Sequence, residues 1–142
     1  MHHLPESARR VYTGRIITRW GDMDALGHVN NSVYLTYFEQ TRIDWLAAHP
    51  PVWTDREGPV VAEATVRYRR PIVAPATVLV RLYAEQPRRS SILTHYEVFT
   101  EEQPDVLFAT GQVVMVWVDY ATGRPVSLPT LFHDLWNAPD SP

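Results

Sequence analysis

The chain has 142 residues, a formal net charge of −3 and no cysteine. That length suits one domain with a real core, expected to span residues 1–142. The charge leaves no electrostatic footprint for nucleic acid, and the missing thiols exclude disulfides, thiolate catalysis and Cys-based zinc sites. All 13 basic residues are Arg, whose planar fork suits phosphate. No apolar run approaches the roughly 20 residues of a membrane span. Met1 to Ser7 carries no hydrophobic signal region, so a cytoplasmic protein is expected.

Taken in chain order, Arg10–Thr18 is rich in β-branched and aromatic residues and reads as a first strand. A loop, Gly21–Asn30, follows. Asn30 or Asn31 can cap a helix running to about Ala48. Tyr34, Tyr37, Phe38, Thr41, Trp45 and Leu46 recur at helical spacing and give that helix one apolar face. Pro50 and Pro51 end it. Val60–Arg70 alternates, with Ala62, Ala64, Val66 and Tyr68 on one face and Glu63, Thr65, Arg67 and Arg69 on the other. Thr77–Glu85, Ser90–Thr100 and Val106–Asp119 complete the strands. Glu101–Asp105 and Ala121–Pro125 read as turns, and Leu131–Trp136 as a short helix. One long helix against about five antiparallel strands is an α+β layer architecture. Val113–Val118 is apolar on both faces, which predicts that another subunit covers the second one.

The stretch from Arg19 to Arg42 concentrates the chemistry. Asp22, Asp24, Gly27, His28, Asn30 and Asn31 fall within ten residues, directly before the helix. Carboxylates thereby sit beside a helix start, where free N–H groups and the positive dipole end can receive an oxyanion. Asp24 can act as a base or nucleophile, or simply cap a turn. Asp22 is expected to bond the loop backbone or pair with Arg19. His28 can orient Asp24, polarise a carbonyl, pass a proton or serve a structural bond. Gly27 lets the backbone turn tightly. Glu39 and Arg42, three apart, are expected to form a helix-surface ion pair. Arg88-Arg89-Ser90-Ser91 can hold phosphate at a strand start. Arg67, Arg69 and Arg70 form a second basic group. His28, His49, His95 and His133 show no close ligand spacing, so no metal is expected.

The Asp22-Met23-Asp24-Ala25-Leu26-Gly27 loop resembles the active-site loop of hotdog-fold thioesterases of the 4-hydroxybenzoyl-CoA thioesterase family. Its Gly27-His28-Val29-Asn30-Asn31 ending is similar to the acyl-CoA and acyl-carrier-protein thioesterase branches. Relatives with this ending carry an Asn two residues before the His, where this chain has Leu26. The resemblance implies a hotdog fold, with one long helix packed on a five-stranded antiparallel sheet. It implies hydrolysis of an acyl-CoA, or of an acyl-carrier-protein thioester, with no cofactor. Asp24, His28 and Asn31 become the catalytic candidates, with the Asn31 amide on the thioester oxygen. Gly27, Asn30, Arg88, Arg89 and Ser90 become the substrate-binding candidates. A homodimer or homotetramer with sites at the dimer interface is implied. The alternatives are a hotdog acyl-CoA hydratase or dehydratase and a non-catalytic acyl-CoA-binding domain.

Overall fold

The computed structural model describes residues 3–138. Its elements are β1 (Arg9–Ile17), α1 (Val33–Ala47), β2 (Glu57–Tyr68), β3 (Thr77–Ala84), β4 (Ser91–Thr100), β5 (Ala109–Asp119) and α2 (Leu131–Asn137), with a 3₁₀ turn at Trp20–Asp22. The five strands form one sheet in the order β1-β3-β4-β5-β2. Each neighbouring pair is antiparallel.

The apolar stripe read from the helix is the one it buries: Tyr34, Tyr37, Phe38, Thr41, Trp45 and Leu46 all face the sheet, with Arg42 beside them. On the sheet, Val78, Val80 and Leu82 of β3 meet that stripe and are fully buried. Phe38 stacks on Tyr96 of β4, with ring centroids 4.4 Å apart and an interplanar angle of 16°. Helix and sheet approach this closely because β5 carries Gly111, where a Cβ would collide with the Phe38 ring. Phe132 of α2 wedges edge-on between Trp45 and Trp117, closing the other end of the core. Gly111→Ala should therefore destabilise the chain by about 1–3 kcal/mol through overpacking. Thermal denaturation checks this, and an unchanged midpoint would mean that Phe38 moves aside freely.

Several boundaries differ from the sequence reading. The helix starts at Val33, with Ser32 rather than Asn30 or Asn31 at its N-cap position. The Asn30 side chain instead accepts the Ser32 N–H and hydroxyl at 2.9 and 2.7 Å, making a turn ahead of the helix. β5 begins at Ala109 rather than Val106, and β2 begins at Glu57 and stops at Tyr68 rather than running from Val60 to Arg70. The alternation in β2 suggested one buried face, yet most of the strand is exposed. The reason is topology: among the described residues β2 pairs only with β5, and its other edge is free. On β5, Val113, Met115 and Trp117 are buried, while Val114 and Val116 on the opposite face remain half-buried.

Candidate active site

A hairpin-like loop carries the carboxylates from β1 to α1. Asp22 is its buried anchor, 4 % exposed. The carboxylate accepts the Arg19 N–H at 3.0 Å and the Tyr37 hydroxyl at 2.8 Å, and pairs with the Arg19 guanidinium at 3.4 Å. The expected Asp22–Arg19 pairing is thus present. Burial pushes the Asp22 carboxyl up, but the Arg19 backbone, the Tyr37 hydroxyl and the Arg19 charge together hold it below the ordinary carboxylate range. A depressed folded-state pKa contributes stability above the unfolded value and loses it as pH falls through the folded value. Tyr37→Phe removes one donor to that charge and should cost about 1.5–3 kcal/mol near neutrality. The loss should shrink as the solution is acidified. Denaturant titrations at neutral and acidic pH check this, and a cost independent of pH would show that Tyr37 acts by packing alone.

Above this anchor the loop turns back. Asp24 donates its N–H to the His28 carbonyl at 2.9 Å, and Gly27 donates to the Asp24 carbonyl at 3.1 Å. Gly27 closes the turn at φ 78°, in the left-handed region that glycine enters without steric cost. The Asn30 N–H reaches back to the Asp22 carbonyl at 2.8 Å, and the Val29 N–H is tied to the Ile72 carbonyl at 2.9 Å. The turn is therefore fixed both to its own base and to the segment after β2.

One Asp24 carboxylate oxygen accepts the Leu26 N–H at 2.9 Å. The other has no protein partner among the described residues, and Asp24 is only half-buried. The Tyr68 hydroxyl, at the end of β2, donates to the Asn31 carbonyl at 2.6 Å and fixes that peptide. The next N–H, on Ser32, is taken by the Asn30 side chain. The Asn31 N–H has no protein acceptor among the described residues. Asp24, His28 and Asn31 line one open cleft of 310 Å³ with Tyr34, Tyr68, Arg69 and Arg70. Burial raises the Tyr34 phenol, so it stays protonated at neutral pH. The cleft thus offers a carboxylate with a free oxygen, an imidazole, a free backbone donor and two guanidiniums.

The sequence reading missed Tyr68 as the clamp on Asn31. It also ranked Arg69 and Arg70 below Arg88 and Arg89, because nothing in the spacing reveals that β2 ends beside the helix start. Arg88, Arg89 and Ser90 do not join the cleft within one chain. They precede β4, whose first residue, Ser91, pairs with Val116, whereas Tyr68 pairs with Ala109 at the opposite end of β5. Nor do Glu39 and Arg42 pair: the Arg42 guanidinium donates to the Tyr96 hydroxyl at 3.3 Å instead. Among the described residues no three His, Asp or Glu side chains gather as a metal-binding group. No described helix is long and apolar enough to cross a membrane.

A helix laid across an antiparallel sheet of this strand order, with a carboxylate loop at the helix start, is the hotdog fold of the thioester hydrolases. The family model for the thioesterase-like superfamily matches residues 18–134, and the chain belongs to that family. It is similar to the long-chain acyl-CoA thioesterase FadM of Escherichia coli, 27 % identical over 124 residues, covering 80 % of this chain and 88 % of that protein. Among solved structures, the PA2801 protein of Pseudomonas aeruginosa is 35 % identical with a TM-score of 0.81, covering 89 % of this chain and 98 % of that one. A Thermus thermophilus thioesterase, solved with coenzyme A and Zn, is 32 % identical with a TM-score of 0.75, covering 94 % and 96 %.

Proposed function

We propose that the protein hydrolyses an acyl-CoA to the free acid and CoA, with Asp24 as its base or nucleophile. The single observation that carries this is the pairing, in one cleft, of a free Asp24 oxygen with the unpaired Asn31 N–H. A thioester carbonyl placed between them meets a carboxylate on its carbon side and a donor on its oxygen. As the carbonyl becomes tetrahedral, negative charge grows on that oxygen, and a fixed N–H beside a helix start stabilises it. Asp24 either attacks directly, giving a mixed anhydride that water then cleaves, or removes a proton from the attacking water. The thiolate of CoA leaves in both routes. In this reading His28, which lines the same cleft, bonds the water or the leaving sulfur. Gly27 and Asn30 act by shaping the turn that presents these groups.

The free edge of β2 supports a second part of the reading, a homodimer. Two copies can join their β2 edges antiparallel, a register centred on Thr65 setting Glu63 of each opposite Arg67 of the other. Both side chains are exposed, and neither has an ion-pair partner in its own chain among the described residues. Opposite charges directly across a strand pair favour that register. Antiparallel addition also reverses the second sheet end to end. Arg88 to Ser90 of the second copy then reach the same end of the joined sheet as the Asp24 cleft, three strand spacings or about 14 Å away. The phosphates of CoA lie remote from its sulfur, which suits such a separation.

Mass spectrometry of the products from crotonyl-CoA tests the activity. Free CoA and crotonate support hydrolysis, and a hydrated acyl-CoA would mean a hydratase; binding without turnover of any acyl-CoA tried would mean a binding domain. The phosphate role gives a separate expectation. Binding to remote phosphates acts in ground and transition states alike, so its loss raises KM more than it lowers kcat. Replacing Arg88 and Arg89 together by Ala should weaken use of acyl-CoA by on the order of tenfold, since one charge-assisted contact is worth about 1.5–3 kcal/mol before solvent screening. A short acyl-pantetheine thioester without the nucleotide should be nearly unaffected. Equal losses on both substrates would place these arginines in folding or chemistry.

A further inference from the structure

A second opening runs along the seam between α1 and β2, a groove of 350 Å³ lined by Ile43, Leu46, Trp53, Val61, Met115 and Tyr120, with Arg42 among them. Its walls are apolar, and Ile43, Trp53, Val61 and Tyr120 are each more than 40 % exposed in the single chain. Arg42 is the cation set among these walls. It is 8 % exposed. Among the described residues its side chain makes one hydrogen bond, to the neutral Tyr96 hydroxyl, and the guanidinium lies 6.0 Å from the Tyr96 ring centroid. No carboxylate pairs with it among the described residues. A guanidinium carries five donors, and those of Arg42 that make no protein bond face the groove, where an anion entering it would meet them. Glu39 also lines the groove, but it is exposed and makes no bond to Arg42. Its charge points to solvent and is screened there, whereas the Arg42 nitrogens that make no protein bond open into the groove.

We infer that the groove receives the acyl group and that Arg42 selects acyl groups ending in an oxygen anion, a terminal carboxylate above all. The inference rests on the acyl-CoA reading and on the β2-edge dimer. In the register centred on Thr65, Tyr68 of one copy lies opposite Ala62 of the other, next to Val60 and Val61 on the groove wall. The Asp24 cleft of one copy therefore opens toward the groove of its neighbour. An acyl chain held at its carbonyl by the first enters the second, where apolar walls take its methylenes and Arg42 takes its end. A carboxylate there replaces lost water with a charge-assisted bond, about twice as strong as a neutral one. An alkyl end leaves the guanidinium unpaired.

The test compares adipyl-, suberyl- and sebacyl-CoA with alkanoyl-CoAs of matched length. Wild-type protein should favour the best carboxylated substrate in kcat/KM by at least about tenfold, the ratio set by one charge-assisted bond. Arg42→Met should erase that preference while retaining alkanoyl turnover, and Arg42→Lys should keep part of it. Binding of the same CoA esters to Asp24→Asn protein, followed by tryptophan fluorescence, reads the preference without catalysis and without altering Arg42. Tighter binding of the carboxylated ester in that variant, even with no wild-type turnover, would uphold the groove and sink the hydrolase. Hydrolysis of alkanoyl esters with no preference for the carboxylated ones would do the reverse. A panel-wide fall in Arg42→Met, with no binding preference in Asp24→Asn, would make Arg42 structural.

Discussion

Asp24→Asn should lower turnover of any accepted acyl-CoA by at least about a hundredfold, because a neutral amide is a poor base and a poor nucleophile. The fold should survive. Asp24 is half-buried, and the bond it accepts from the Leu26 N–H is one an Asn carbonyl oxygen can also accept. Substrate affinity should change little, since the amide keeps the shape of the site. The neighbouring carboxylate should behave in the opposite way. Asp22 is buried under Tyr37 and Arg19, away from the cleft, so Asp22→Asn should cost stability first and turnover less. Purified variants compared by circular dichroism and thiol release would decide. Near-normal turnover in folded Asp24→Asn protein removes Asp24 from the chemistry, and a larger catalytic loss in Asp22→Asn points to the wrong carboxylate.

Glu63→Arg should weaken self-association and take activity down with it. In the dimer centred on Thr65, this change sets a second guanidinium against Arg67 of the other copy, twice over by symmetry. Cross-strand pairs are worth about 0.2–1 kcal/mol each, and like charges reverse the sign, so the dissociation constant should rise by on the order of ten- to a hundredfold. The reciprocal exchange, Glu63→Arg with Arg67→Glu, should restore the dimer, because it rebuilds both pairs with the signs swapped. Sedimentation equilibrium over a concentration series reads both results. Wild-type protein that stays monomeric at micromolar concentration would exclude the shared site. Failure of the exchange to rescue would reject this register while leaving other edge pairings open to test.

The helix was legible residue by residue, because Tyr34, Tyr37, Phe38, Thr41, Trp45 and Leu46 face one sheet and their spacing records that constraint. The strands were legible in number but less so at their ends. Val106 and Leu107 have strand-like side chains, yet the ladder starts at Ala109: the Val106 N–H turns back to the Gln103 carbonyl at 3.1 Å, and the first bond to β4 comes from the Phe108 N–H to the Val98 carbonyl at 2.9 Å. The helix cap slipped by one or two residues, from Asn30 or Asn31 to Ser32, for a local reason: Asn30 satisfies Ser32 through a turn and so competes with capping. Asp24, His28 and Asn31 were recognisable because one short loop carries all three. Tyr68, Arg69 and Arg70 were not, because their place beside that loop depends on which strand lies at the sheet edge. The separation of Arg88 to Ser90 from the cleft has the same origin: strand order, unlike periodicity, leaves no local pattern. Arg42 looked like an ordinary helix-surface partner of Glu39 by spacing, and only the packing of Tyr96 against α1 turns it inward.

Thiol release by the purified wild-type protein across a panel of acyl-CoAs tests the central claim most directly. Free CoA should appear with saturable, enzyme-dependent kinetics for at least one acyl group, matched mole for mole by the carboxylic acid. Release no faster than buffer across aliphatic, aromatic and carboxylated acyl-CoAs, from folded dimeric protein, would contradict the account.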